Sequence, residues 1–243
     1  MFEPLRVVVL TSRRAPGLEY LLEDDAQRGR VYEIAGVLSS DPECLERRTC
    51  EAHGIPFVVH DLRAFAAERG ARWTDLAFRE RYDEALLAAI EPWHANAIAC
   101  AGYLHVLTRR VLEAFPGRVV NVHDADLAIT DEHGRPKYRG LRSTRDAILA
   151  GERETRCTVH VVTSAVDDGP VIARSRAFPV HAMVDDARWW AAADILKAYA
   201  YAHREWMMRS AFGPLLAQGV AWLETVHEMS GDLAATRRAR AIG

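Results

Sequence analysis

The sequence predicts an α/β fold: a mostly parallel, twisted sheet flanked by helices, with a β-hairpin region and a long helix toward the C-terminal end. Three observations carry this prediction. Continuous apolar runs of strand length recur at 7–10, 34–38, 56–59, 97–101 and 119–122. Runs without polar alternation belong to strands covered on both faces, as parallel strands are. Segments with helical spacing follow several of these runs, and strand–helix alternation is the pattern of a parallel sheet. Beyond residue 122 the alternation gives way to two β-patterned runs and a long helix.

Val7, Val8, Val9 and Leu10 form the first strand, and the polar stretch that ends in Pro16 and Gly17 turns the chain into a helix. The runs at 34–38 and 56–59 repeat this unit. Between 78 and 90, Tyr82, Leu86, Leu87 and Ile90 share one helical face. The runs at 97–101 and 119–122 add two buried strands, whose carboxyl ends are where such sheets hold ligands. Residues 124–135 read as a polar loop, and 143–149 as a short helix capped by Ser143. Long strands are expected at 155–163 and 171–180, separated by the turn Asp167-Asp168-Gly169-Pro170. From about 186 to 210, Trp189, Ala193, Leu196, Ala200 and Met207 recur at helical spacing. Repeats and linkers are absent, so one domain is expected over 1–243, with a core at about 6–180 and a helical segment at about 185–243. Trp189, Trp190 and Trp206 make that helix a candidate homodimer surface, although packing on its own sheet is the commoner use of such a stripe.

With 243 residues, 49% apolar and 27% charged, the composition is that of a globular protein and excludes a disordered or fibrous one. A net charge of −3 offers no bulk attraction to nucleic acid or an anionic membrane. The basic run Arg237, Arg238, Arg240 reads as a solvated helix end. Four cysteines without a C-x-x-C pair read as reduced thiols, and no apolar stretch has signal-peptide or membrane-span length, so a cytoplasmic location is expected.

The turn after the first strand holds one glycine where a Rossmann fingerprint needs three, and it is not a Walker loop. It still opens a helix, so its backbone with Ser12, Arg13, Arg14 and Gly17 is a candidate anion site. The plain alternative is a strand-to-helix turn with solvated arginines. Histidines and cysteines do not fall at metal-ligand spacing, and no serine sits in a nucleophile elbow. No metal is expected. A stronger set is Asn121, His123 and Asp167. Residues two apart on a strand face the same side, so Asn121 and His123 can act on one substrate atom. Both can donate a hydrogen bond to an oxygen becoming negative, and a carboxylate beside a histidine favours the protonated ring. His160, within an apolar β run, reads as a packed and hydrogen-bonded histidine.

Four segments resemble, in order, motifs of the glycinamide ribonucleotide formyltransferase family of folate-dependent formyl transferases. They are Ala101-Gly102-Tyr103-Leu104-His105-Val106-Leu107-Thr108, the strand with Asn121 and His123, Pro136-Lys137-Tyr138-Arg139-Gly140-Leu141, and the block from Thr158 to Ile172. The resemblance covers roughly 6–180. It implies a Rossmann-like formyltransferase fold, 10-formyltetrahydrofolate as formyl donor and a small-molecule primary amine as acceptor. It also implies that Asn121 and His123 stabilise an oxyanion, while Asp167 holds the imidazolium and relays protons. The backbone of Leu104, His105, Val106 and Leu107, with the loop of Thr163, Ser164 and Val166, would cradle the pterin. The family's phosphate turn is here Ser12-Arg13-Arg14-Ala15-Pro16, and P-S-L-L after the histidine is Asp124-Ala125-Asp126-Leu127. The loop before Pro136 is longer, an arginine after Leu104 is His105, and a histidine after Leu141 is Arg142. Donor-side motifs are kept while acceptor-side motifs differ, which implies a retained donor with glycinamide ribonucleotide or another small amine as acceptor. Two alternatives are a 10-formyltetrahydrofolate hydrolase and an inactive folate-binding homologue. Hydrolases of this kind usually carry an extra N-terminal domain, and retention of all three chemical residues disfavours inactivity.

Overall fold

The first apolar run becomes β1 (Leu5–Thr11), a central strand of a seven-stranded sheet in the computed structural model. The structure describes residues 3–185 and 193–242, with side chains over 3–185 and 194–229. Successive side chains of a strand point to opposite faces, and here both faces are dry. Val7 and Val9 pack with Leu18, Leu21 and Leu22 of α1 (Leu18–Leu22). Val8 and Leu10 pack with Phe78, Tyr82, Leu86 and Ile90 of α4 (Leu76–Ile90), and Leu87 is only partly buried against them. A fully buried Val or Leu contributes roughly 1.5–3 kcal/mol, so a strand covered on both sides is specified by continuous apolar residues.

Across the sheet the order is β3 (Phe57–Val59), β2 (Tyr32–Ser39), β1, β4 (Ala97–Cys100), β5 (Val119–His123), β7 (Thr158–Val161) and β8 (Val171–Arg174). The first five are parallel, and β7 and β8 join antiparallel. From β1 the chain builds β2 and β3 on one side, then crosses back to place β4 on the other. That reversal opens a crevice outside the carboxyl ends of β1 and β4.

Five expectations are corrected. The run 155–163 is broken, because the Cys157 N–H donates to Ser175 Oγ and the Ser175 N–H to the Cys157 carbonyl. The bend leaves β6 (Glu154–Thr155) to pair with β9 (Phe178–Pro179) in a separate two-stranded sheet, which breaks the run 171–180 as well. Residues 124–127 are not a solvated loop. Thr158 Oγ1 donates to the Ala125 carbonyl at 2.7 Å and accepts from the Leu127 N–H at 3.2 Å, holding them beneath the surface. Ser143 does not cap α6 (Ser143–Leu149); it is the first helical residue, and its hydroxyl donates to Asp124 instead. The last helix is longer than expected, since α7 runs Ala193–Ile242. Trp189 and Trp190 lie outside the described residues. Met207, Phe212, Leu215, Leu216, Val220 and Leu223 of α7 bury against β1 and its neighbours, so this helix covers the sheet. Among the described residues no helix is long and apolar enough to cross a membrane.

Candidate active site

A cavity of about 330 Å³ opens beyond the carboxyl ends of β4 and β5. Its floor follows from the strand period: Asn121 and His123, two apart at the end of β5, both line it. His123 is 8% exposed, and its Nδ1 lies 3.7 Å from Asp167 Oδ2 and 3.8 Å from Asp124 Oδ1. Its Nε2 is buried without a hydrogen-bond partner.

Asp167 reaches the ring from a tight return between β7 and β8. The residue sits in the left-handed region at φ 50°, which short polar side chains tolerate better than most. Two residues on, a Cβ at Gly169 would stand 1.8 Å from the Val161 carbonyl oxygen, so only glycine lets the loop close. The Gly140 N–H donates to Asp167 Oδ2 at 2.7 Å, and Asp167 Oδ1 lies 3.7 Å from His160 Nε2. His160 Nδ1 lies 3.0 Å from the Val161 carbonyl, which can only accept, so Nδ1 carries the proton and Nε2 accepts from Asn121 Nδ2 at 3.1 Å. Burial pushes the His160 ring below the usual histidine range, against the attraction of Asp167.

The second wall is the loop after β4. Leu104 and Val106 are half exposed at the cavity edge, and Leu107 is buried. The backbone of this loop is tied to the turn after β1 and to α4. The Leu104 N–H donates to Ser12 Oγ at 3.1 Å, Arg79 Nη2 to the Val106 carbonyl at 2.6 Å, and the Thr108 N–H to Asp83 Oδ2 at 2.6 Å. Burial raises the Asp83 carboxyl despite that bond. His105 stands edge-on to Tyr103 and Trp73, and burial, then Arg79 and Arg63, push its ring down to about 4. Thr163 and Val166 face the loop across the cavity, whereas Ser164 is not among the lining residues.

The residues expected on the acceptor side sit differently. Ser12, Arg13, Arg14 and Gly17 do not line the cavity. Ser12 is buried and shares a 2.7 Å hydrogen bond with Ser40 Oγ. Arg13 pairs at the surface with Glu43. Arg14 donates twice to the Glu205 carboxylate, at 2.6 and 3.0 Å, which raises its own pKa and holds Glu205 below the usual carboxylate range. Gly17, at φ 90°, stands against the backbone of Phe212 and Gly213, where a Cβ would lie 2.9 Å away. Arg142 is exposed and off the cavity. Among the described residues no group of three or more His, Cys, Asp or Glu is placed to hold a metal ion. All four cysteines are free and buried.

A family model described as Formyl transferase matches residues 5–190. The chain belongs to that family. The phosphoribosylglycinamide formyltransferase of Haemophilus influenzae is 32% identical over 171 residues, 70% of this chain and 72% of that protein. The trifunctional purine biosynthetic protein adenosine-3 of Drosophila melanogaster is 32% identical over 177 residues, 72% of this chain, and the chain spans 12% of that relative's length. The crystal structure of phosphoribosylglycinamide formyltransferase from Brucella melitensis superposes with a TM-score of 0.62 at 30% identity, covering 90% of this chain and 96% of that one.

Part of the cavity wall lies outside the matched residues. Arg204, Met208 and Phe212 line the cavity from α7, at the four-residue spacing that puts them on one helical face. Helical spacing alone marks that face as buried, and nothing in it says that the buried surface is a site. Asp124 carries a weak sequence signal, an acidic residue directly after the histidine, where it departs from the family motif.

Proposed function

We propose that this formyl transferase moves the formyl group of 10-formyltetrahydrofolate onto the primary amine of a small molecule, with Asn121, His123 and Asp167 as its catalytic residues. The observation that carries the reading is His123 Nε2, a buried polar atom without a partner in the wall of a cavity that Asn121 also lines. Such an atom is costly to leave unpaired, and a carbonyl oxygen in the cavity satisfies it.

The donor supplies an activated formyl carbon. Leu104, His105, Val106 and Leu107 hold its pterin along one side, with Thr163 and Val166 on the other. Leu104, Val106 and Val166 give the mouth an apolar rim, each being more than 40% exposed. Asn121 and His123 donate to the formyl oxygen as it gains negative charge, when such bonds are worth most. Asp167 holds the imidazolium and passes the proton shed by the attacking amine to the folate nitrogen that leaves as its bond to the formyl carbon breaks.

The acceptor is glycinamide ribonucleotide or a related amine, and the turn after β1 favours an amine with no phosphate at that position. Arg14 is already paired with Glu205. Arg204, the one arginine among the lining residues, is paired with Asp124. The test is tetrahydrofolate release from 10-formyltetrahydrofolate with glycinamide ribonucleotide, its dephosphorylated nucleoside, an amino sugar or no amine. Amine-dependent release supports transfer. Amine-independent release supports a hydrolase, and folate binding without release an inactive homologue.

A further inference from the structure

Two carboxylates flank the same nitrogen of His123, and they are held in different ways. Asp167 belongs to a loop and is fixed by a single backbone N–H, that of Gly140. Asp124 is built into the interior at 5% exposure. Its Oδ1 accepts from Ser143 Oγ at 2.9 Å, its Oδ2 accepts from Arg204 Nε, and Thr144 Oγ1 donates to its backbone carbonyl at 2.7 Å. An isolated carboxylate at that depth would be strongly disfavoured. Burial does oppose the charge, but His123, Arg204 and Ser143 outweigh it and hold the Asp124 carboxyl below the usual range. The compensating guanidinium comes from α7, beyond the residues 5–190 that carry the family match.

We propose that Asp124 is a positioning residue for the formyl transfer, fixing the His123 ring with Nδ1 turned to the carboxylates and Nε2 toward the cavity, and that Arg204 of α7 holds Asp124 in place. This rests on the proposed transfer reaction. With Nδ1 turned toward both carboxylates, Nε2 is the nitrogen left for the occupant of the cavity. The rigid carboxylate orients the ring, which leaves the looser Asp167 to take up and return protons.

Asp124→Asn keeps an oxygen for Ser143 and removes the charge. Its amine-dependent kcat is expected to fall about tenfold or more while the donor KM stays within about twofold. Arg204→Met should show the same split, and Arg204→Lys should recover part of the loss. The Arg204 side chain is 28% exposed, so Arg204→Met carries the test if Asp124→Asn does not fold. Wild-type kcat in Arg204→Met overturns the proposal, as does a loss of kcat matched by equal changes in donor KM and melting temperature. Imidazole ¹⁵N NMR needs no turnover: His123 Nδ1 should carry the signature of an N–H facing a carboxylate in the wild type, and that signature should weaken in Arg204→Met and Asp124→Asn. An unchanged pattern overturns the assignment. Absence of wild-type turnover with every amine counts against the proposed function alone.

Discussion

Asn121 and His160 stand directly opposite each other across the antiparallel β5–β7 ladder, with the Asn121 amide nitrogen 3.1 Å from His160 Nε2. The histidine spends its own proton on Val161, so it reads which end of the amide is nitrogen. One Asn121 N–H is committed to His160 and the other is left for the cavity. His160→Phe removes the acceptor and frees the amide to flip. We predict a fall in kcat of roughly tenfold, since one N–H donor is misplaced in only part of the molecules, with donor KM little changed. Steady-state kinetics at saturating amine check it.

On the proposed mechanism, Asn121→Ala and His123→Ala each remove one donor to the developing oxyanion. Each is expected to lower kcat by about 10² to 10³ while tetrahydrofolate still binds. Either variant turning over at the wild-type rate would take that residue out of the chemistry.

Glu205→Gln releases Arg14 from its ion pair. The freed guanidinium then lies in the turn after β1, where a helix start already favours an anion. Inorganic phosphate should inhibit this variant more strongly than the wild type, and phosphorylated amines should gain on unphosphorylated ones. Equal inhibition of the two proteins would mean that Arg14 has no bearing on acceptor choice.

Four histidines predict how stability depends on pH. Burial lowers the rings of His60, His160 and His203, and pushes His105 to about 4. Below about 6.5 the unfolded chain binds protons that these folded sites refuse. Their contribution is therefore intact above about 6.5 and declines as pH falls toward 4, earlier than any loss from Asp124 or Glu205, which are held below the usual carboxylate range. Melting temperatures across that window should fall steadily, and His105→Leu should flatten the decline.

Gly102→Ala should damage the donor loop. Gly102 has φ 71°, and a Cβ there would stand 2.4 Å from the Arg14 carbonyl oxygen. A left-handed conformation of this kind costs about 1–3 kcal/mol for residues other than glycine. Chemical denaturation should report that loss, and the loop that follows should bind folate more weakly.

The parallel half of the sheet was readable because continuous apolar runs have one good use in an α/β chain, and the same holds for the α4 face with Tyr82, Leu86 and Ile90. Asn121, His123 and Asp167 could be picked out together because strand period and motif resemblance pointed the same way. The break at Cys157 was not readable, since it depends on Ser175 taking the place of a ladder bond. Ser143 looks like a helix cap in one dimension, but in the fold a buried carboxylate claims its hydroxyl. The partnership of Arg204 with Asp124 joins residues 80 apart and has no local signature at all.

The stripe of Arg204, Met208 and Phe212 has a consequence for how such enzymes diversify. Three side chains, one turn apart on a single rod, shape one end of the cavity, while the opposite end hangs from strand tips and ties to α4. On the proposed function, exchange of Met208 and Phe212 reshapes the berth for the incoming nucleophile, while Arg204 stays bound to Asp124 and the one-carbon supplier stays seated as before. On that reading, new acceptors are reachable through those two positions without rebuilding the sheet.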